Sequence, residues 1–129
     1  MTSVHSILSK ILTSEKVLLP ESEEYKSSNS TYFTAWVNET KPSYIAAPTS
    51  VLEVSELLKA LSPLLLKREL QIAIRGGGHT PSGSSNIENG VTLNVQGFKG
   101  ISLNDDKSIV TLGVGETWNS VYRELRDMA

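Results

Sequence analysis

The sequence contains no cysteine in 129 residues, which excludes disulfides and thiolate metal sites and leaves the redox compartment open. No apolar run approaches the roughly 18 residues needed to cross a bilayer. His5 and Lys10 interrupt the apolar positions Val4, Ile7, Leu8, Ile11 and Leu12, so the first residues do not read as a secretory leader. Arg126-Asp127-Met128-Ala129 carries no lipidation or retention signal. There is no excess of basic charge either. Lys and Arg number 12 against 14 Asp and Glu, a net charge of −2, and no basic stripe is present. Neither a nucleic acid nor a membrane is therefore expected as a partner. Internal repeats and low-complexity segments are also missing. Localisation is left open.

What remains is the composition of an ordinary globular chain, 39% hydrophobic and 20% charged. A chain of this length makes one domain or part of one, and buries roughly two-thirds of its surface. Residues 3 to 14 have helical apolar spacing. Pro20 to Ser30, with Glu21, Glu23 and Glu24, reads as a polar loop or extended arm. Tyr44 to Ala47 reads as a short strand ended by Pro48. Ser50 and Glu53 form a capping-box pair, followed by a helix with Val54, Leu57, Leu58 and Leu61 on one face. Ser62-Pro63 is expected to cap and start a second helical segment. Strands are expected at 71–74, 91–95, 101–103 and 109–112, the last two joined by the turn Asn104 to Lys107. Trp118, Val121, Tyr122 and Leu125 mark a final helix. That helix has an apolar face and nothing after it to pack against, so the sequence reads as cut rather than finished. The order is that of a mixed α/β unit.

The most informative segment is Arg75-Gly76-Gly77-Gly78-His79, followed by Thr80-Pro81-Ser82-Gly83-Ser84-Ser85. A strand leads straight into three bare glycines. Their N–H groups can approach an anion with no side chain in the way, and a histidine stands at the end of the run. This suggests a phosphate-bearing cofactor with an imidazole aimed at it. Two common nucleotide motifs fail. Gly78 and Gly83 have P-loop spacing, but Ser84 stands where the motif needs lysine. Gly113-Val114-Gly115 begins a dinucleotide fingerprint, but Trp118 stands where it needs a third glycine.

The surviving pattern resembles the FAD-linked oxidases with a PCMH-type flavin-binding domain, which include berberine-bridge-like enzymes and many fungal oxidoreductases of secondary metabolism. It consists of Arg75, Gly77, Gly78, His79, Gly83 and Ser85 as R-x-G-G-H-x-x-x-G-x-S, preceded by Pro48, Glu53 and Val54 and followed by Gly113, Gly115 and Trp118. The resemblance covers about residues 36–129. Residues 1–35 read from their own pattern as an N-terminal helix and polar arm; the resemblance implies over 36–129 a FAD-binding domain, incomplete at its C-terminus, of α/β (α+β) class with a small mixed sheet flanked by helices. It implies FAD as cofactor, held by Arg75, Gly76, Gly77, Gly78, His79, Gly83, Ser84 and Ser85. In relatives the histidine matching His79 often bonds covalently to the methyl group on the flavin's benzenoid ring; covalent and non-covalent FAD both stay open here. The implied partners are a small organic substrate, which gives a hydride to the flavin, and molecular oxygen, which takes the electrons. The second covalent link that some relatives make through cysteine, the second glycine-rich half and the substrate domain have no counterpart in this sequence.

Blander readings stand beside these. Arg75 pairs with a phosphate or caps a surface carboxylate; Ser84 and Ser85 donate to phosphate or cap a local turn. Trp118 and Tyr122 are expected in the core, and Trp36 and Tyr32-Phe33 as packing anchors. His5 is expected to be solvated, and Asp105-Asp106 to be a hairpin turn rather than a metal site. The sequons at Asn29 and Asn38 matter only in a secreted protein and read as chance matches. Two rivals to the oxidoreductase remain: a truncated, non-catalytic remnant or interaction module without flavin, and a short nucleotide-binding protein.

Overall fold

A computed structural model describes residues 3–129. Four helices flank a four-stranded sheet, and a separate two-stranded hairpin lies before the last helix. The elements are α1 (Val4–Ile11), β1 (Val17–Leu18), α2 (Glu23–Asn29), β2 (Tyr44–Ala46), α3 (Val51–Leu66), β3 (Ile72–Arg75), β4 (Val91–Asn94), β5 (Ile101–Leu103), β6 (Val110–Leu112) and α4 (Trp118–Met128). The mixed α/β class expected from the element order is the one found.

The sheet order is β1-β2-β4-β3, with β2, β4 and β3 parallel and β1 antiparallel at one edge. The register aligns Ile72, Ile74, Val91 and Leu93 on one face. Ile74 is exposed at the cleft, while Leu8, Leu12, Leu57 and Leu61 pack against Ile72, Val91 and Leu93. This is the apolar core. The opposite face carries Arg75, Thr92 and Asn94 and is covered by a polar layer. There the Asn86 carboxamide donates to Asn29 Oδ1 and accepts from the Thr92 hydroxyl at 2.8 Å. With helices on one face and this layer on the other, all four β4 residues are buried.

Three expectations are corrected. Residues Glu23–Asn29 form a helix, not an arm in extended form. Ser22 caps it by accepting from the Tyr25 N–H, and Glu23 and Glu24 suit its first turn. Its two buried residues, Tyr25 and Asn29, are anchored by hydrogen bonds: Tyr25 Oη donates to the Pro42 carbonyl, and Asn29 Nδ2 to those of Asn38 and Thr40. A helix held this way has no apolar stripe for periodicity to reveal. Second, Ser62-Pro63 starts nothing: α3 runs unbroken to Leu66 with Pro63 inside it. Pro63 lies in the final turn, where it removes only one interior hydrogen bond, and Leu57 and Leu61 hold the helix on the core. Third, Trp118 and Tyr122 are 65% and 68% exposed, and α4 buries only Val121. Among the packing anchors, Tyr32 is buried, Trp36 is half exposed and Phe33 is 78% exposed.

Ser50 accepts from the Glu53 N–H, as its spacing suggests, while the Glu53 carboxylate accepts from the Thr49 N–H and from Lys16 Nζ. The β5–β6 turn closes through Asp106, which accepts from the Ser108 N–H and hydroxyl. Asn29 of the first sequon has its carboxamide buried and hydrogen-bonded in the folded protein. Among the described residues, no helix is long and apolar enough to cross a membrane.

Candidate functional site

The glycine run leaves the carboxyl end of β3, the position from which ligand loops emerge in parallel sheets. It forms one wall of a cleft of about 740 Å³. Gly76, Gly77, Gly78, His79, Thr80, Ser84 and Ser85 line this wall, and Glu116, Thr117, Trp118 and Asn119 line the other. The hairpin brings the two together. Gly113 N–H donates to the Gly100 carbonyl and Gly115 N–H to that of Phe98, and a Cβ at either glycine would strike a backbone carbonyl. The Gly113-Val114-Gly115 segment is thus glycine for close packing, and it delivers the N-terminus of α4 to the cleft.

Each loop glycine has a distinct reason. Gly78 and Gly83 have φ of +74° and +75°, which side chains other than glycine's resist. Gly76 and Gly77 have no such constraint. A Cβ on Gly76 would meet only Val114 O at 3.6 Å, and one on Gly77 only the His79 ring at 4.0 Å. Nothing among the described residues requires glycine at these two positions; a ligand pressed against the backbone would. Among the described residues, no backbone N–H from Gly76 to Ser85 donates to another backbone or side-chain group. Ser85 Oγ, buried at the cleft wall, also has no partner.

The cleft wall has neither lysine nor arginine. Its hydrogen-bond donors are the free N–H groups of the loop and the first turn of α4, where Thr117 and Ser120 form a reciprocal capping box. The one carboxylate there, Glu116, is held below its ordinary range, first by the Ser120 hydroxyl donating to it at 2.8 Å and then by the Gly100 N–H. It is charged at neutral pH and turned toward those donors. His79 is exposed on the cleft, its ring 5.7 Å from that of Phe33.

Of the residues expected at the site, six share this wall: Gly76, Gly77, Gly78, His79, Ser84 and Ser85. Gly83 lies behind it, against the Trp36 ring. Arg75 does not line the cleft at all. Its guanidinium is buried and donates to the Ser28 carbonyl at 2.6 Å and the Thr31 hydroxyl at 2.7 Å, with Tyr32's ring 3.9 Å away. Neither a surface carboxylate nor the cleft holds it. The residues that sequence reading missed are those of the second wall. Trp118 was visible as the end of G-x-G-x-x-W, but helical spacing assigned it to the core.

The donor chemistry of this wall suits a pyrophosphate group. Bare backbone where no internal contact needs it, unpaired N–H groups and an orphaned hydroxyl are the donors that a pyrophosphate takes.

The profile of the FAD binding domain family matches residues 42–129. FAD-dependent monooxygenase CTB5 of Cercospora beticola is 33% identical over 121 residues, covering 92% of this chain and 23% of that protein. FAD-dependent monooxygenase macF of Penicillium terrestre is 43% identical over 86 residues, covering 65% of this chain and 16% of that protein. The chain thus spans under a quarter of the length of these curated relatives. Among solved structures, Physcomitrella patens BBE-like 1 superposes with a TM-score of 0.84 at 22% identity, covering 99% of this chain and 26% of that one. Phl p 4, a grass pollen allergen with glucose dehydrogenase activity, gives 0.83 at 17% identity, covering 98% and 27%. At these identities the likeness is one of fold.

Proposed function

The chain belongs to the FAD binding domain family, and on that premise we propose that the protein is a flavin oxidoreductase that oxidises a small organic metabolite, with molecular oxygen as electron acceptor. When bound, FAD supplies the redox chemistry, taking a hydride from the substrate. The observation that carries the reading is the pair Gly76 and Gly77, bare where the fold does not need them, on a loop whose N–H groups are unspent.

In this reading the backbone of Gly76 to Ser85 holds the pyrophosphate, and Ser85 Oγ donates to it. The α4 N-terminus adds its dipole from the opposite wall. Trp118 covers that wall with an exposed ring and excludes water from one side of the cleft. His79 is the proposed attachment residue: its ring nitrogen would replace one hydrogen of the flavin's benzenoid methyl group, and the two electrons released would pass through the flavin to oxygen. A neutral imidazole is a competent nucleophile near neutral pH, and this one is exposed on the cleft. The names of the fungal relatives, FAD-dependent monooxygenases, support oxygen as the co-substrate.

The test is the visible spectrum of the purified protein before and after acid precipitation, with His79→Ala in parallel. A yellow pellet that becomes colourless in His79→Ala is the result expected for attachment at His79. A yellow protein with a colourless pellet keeps FAD and removes the attachment. Protein that stays colourless after FAD is added contradicts the reading. For the acceptor, the FAD-loaded protein is reduced chemically and exposed to air; rapid reoxidation with peroxide release is expected, and failure to reoxidise removes oxygen from the proposal.

A further inference from the structure

Arg75 is the largest fully buried side chain in the protein, and among the described residues no carboxylate lies within 4.0 Å of it. A buried cation without a counter-ion is costly unless its N–H groups are hydrogen-bonded. Here only the two Nη atoms find acceptors, while Nε has no partner. The bonds that form all run to one segment. Nη1 donates to the Ser28 carbonyl, Nη2 to the Thr31 hydroxyl, and the guanidinium lies over the Tyr32 ring. The same segment grips the glycine loop at two further points. The Phe33 N–H donates to the Gly78 carbonyl at 3.0 Å, and the Tyr32 hydroxyl to the Ser85 carbonyl at 3.0 Å. Both carbonyls belong to the unpaired run from Gly76 to Ser85, one near its start and the other at its end.

The grip has a directional consequence. In a planar trans peptide the carbonyl and the next N–H point opposite ways. Drawing the Gly78 carbonyl to Phe33 therefore turns the His79 N–H away from that segment. The guanidinium also lies directly beneath Gly78, where a Cβ would meet it at 2.9 Å to 3.2 Å. Gly78 rests on a group that is itself pinned.

We propose that Arg75 is a positioning residue: clamped by Ser28, Thr31 and Tyr32, it props Gly78 so that the loop's N–H groups and His79 are set before any cofactor arrives. The role rests on the FAD reading above and adds to it a residue that never touches FAD. Lysine cannot replace the planar fork that reaches two acceptors while stacking on a ring.

The test compares wild type, Arg75→Met, Arg75→Lys and Thr31→Val by two readouts. One is the backbone order parameter of Gly76, Gly77, Gly78 and His79 without ligand. The other is FAD affinity, from quenching of Trp36 and Trp118 fluorescence. In wild type the four order parameters are expected near ~0.85; in Arg75→Met they fall below ~0.6 while the sheet keeps its values. FAD affinity falls about tenfold or more. Arg75→Lys recovers part of both losses, and Thr31→Val shows smaller losses of the same kind. Folded Arg75→Met with wild-type loop order overturns the proposal, whatever its affinity. If Arg75→Met does not fold, Thr31→Val decides by the same readouts, and unchanged loop order in it overturns the proposal. If wild type takes up no FAD, the flavin reading fails, and the order parameters alone still decide the role of Arg75.

Discussion

Gly83 sits at φ +75° with the Trp36 ring where its Cβ would be, 2.5 Å away. Gly83→Ala therefore combines backbone strain with displacement of an aromatic ring. It is expected to destabilise the protein by about 1–3 kcal/mol, as measured by urea unfolding, and to change the emission of Trp36. Wild-type stability would contradict the placement of that ring. The residue scale also shows what the sequence could and could not say. The triple glycine announced a ligand loop because such backbone is unfavourable without one. It did not separate Gly76 and Gly77, free of internal constraint, from Gly78 and Gly83, which the backbone conformation requires. Arg75 was equally illegible. Its partners, Ser28 and Thr31, lie more than forty positions upstream in a segment with no apolar signal.

At the scale of elements, α3 joins the core to the sheet edge. Leu57 is 1% exposed and packs in the core cluster, so Leu57→Ala is expected to lose about 2–5 kcal/mol of stability by denaturant titration. The start of α3 is tied to the turn before β1 by Lys16 Nζ, 2.6 Å from the Glu53 carboxylate. That bond, then the Thr49 N–H, hold Glu53 below its ordinary value of 4.5. A carboxyl whose pKa is lowered on folding stabilises the native state above its unfolded pKa, and the stabilisation is lost as pH falls through the folded pKa. Tm of wild type should therefore fall below about pH 4.5, and Glu53→Gln should flatten that part of the profile; parallel profiles would contradict the tie. The core-facing elements other than β1 were legible because helical spacing and strand runs record burial directly; β1 has only two residues, too few to show a period, although its Val17 lies in the core. Helix α2 was hidden because hydrogen bonds anchor it. The continuity of α3 through Pro63 was hidden because a proline reads locally as a start, while Leu57 and Leu61 hold the whole helix to one core.

At the scale of the molecule, the fold brings two distant segments, the loop after β3 and residues 116–119, to facing walls of one cleft. The loop after β3 supplies free N–H groups, and the hairpin glycines bring in the N-terminus of α4. The order of the motifs was readable along the chain. Their convergence on one cleft was not, because it depends on the β5–β6 hairpin folding back against residues 96–100. The central claim is that Gly76 and Gly77 are bare for the cofactor and not for the fold. The measurement that tests it most directly is FAD titration of Gly77→Val beside wild type, each first checked for Tm. The expected result is an unchanged Tm, since a Cβ at Gly77 meets only the His79 ring, at 4.0 Å, with FAD affinity lowered by about 100-fold or more. Gly77→Val that binds FAD as tightly as wild type would show that the loop does not hold the cofactor.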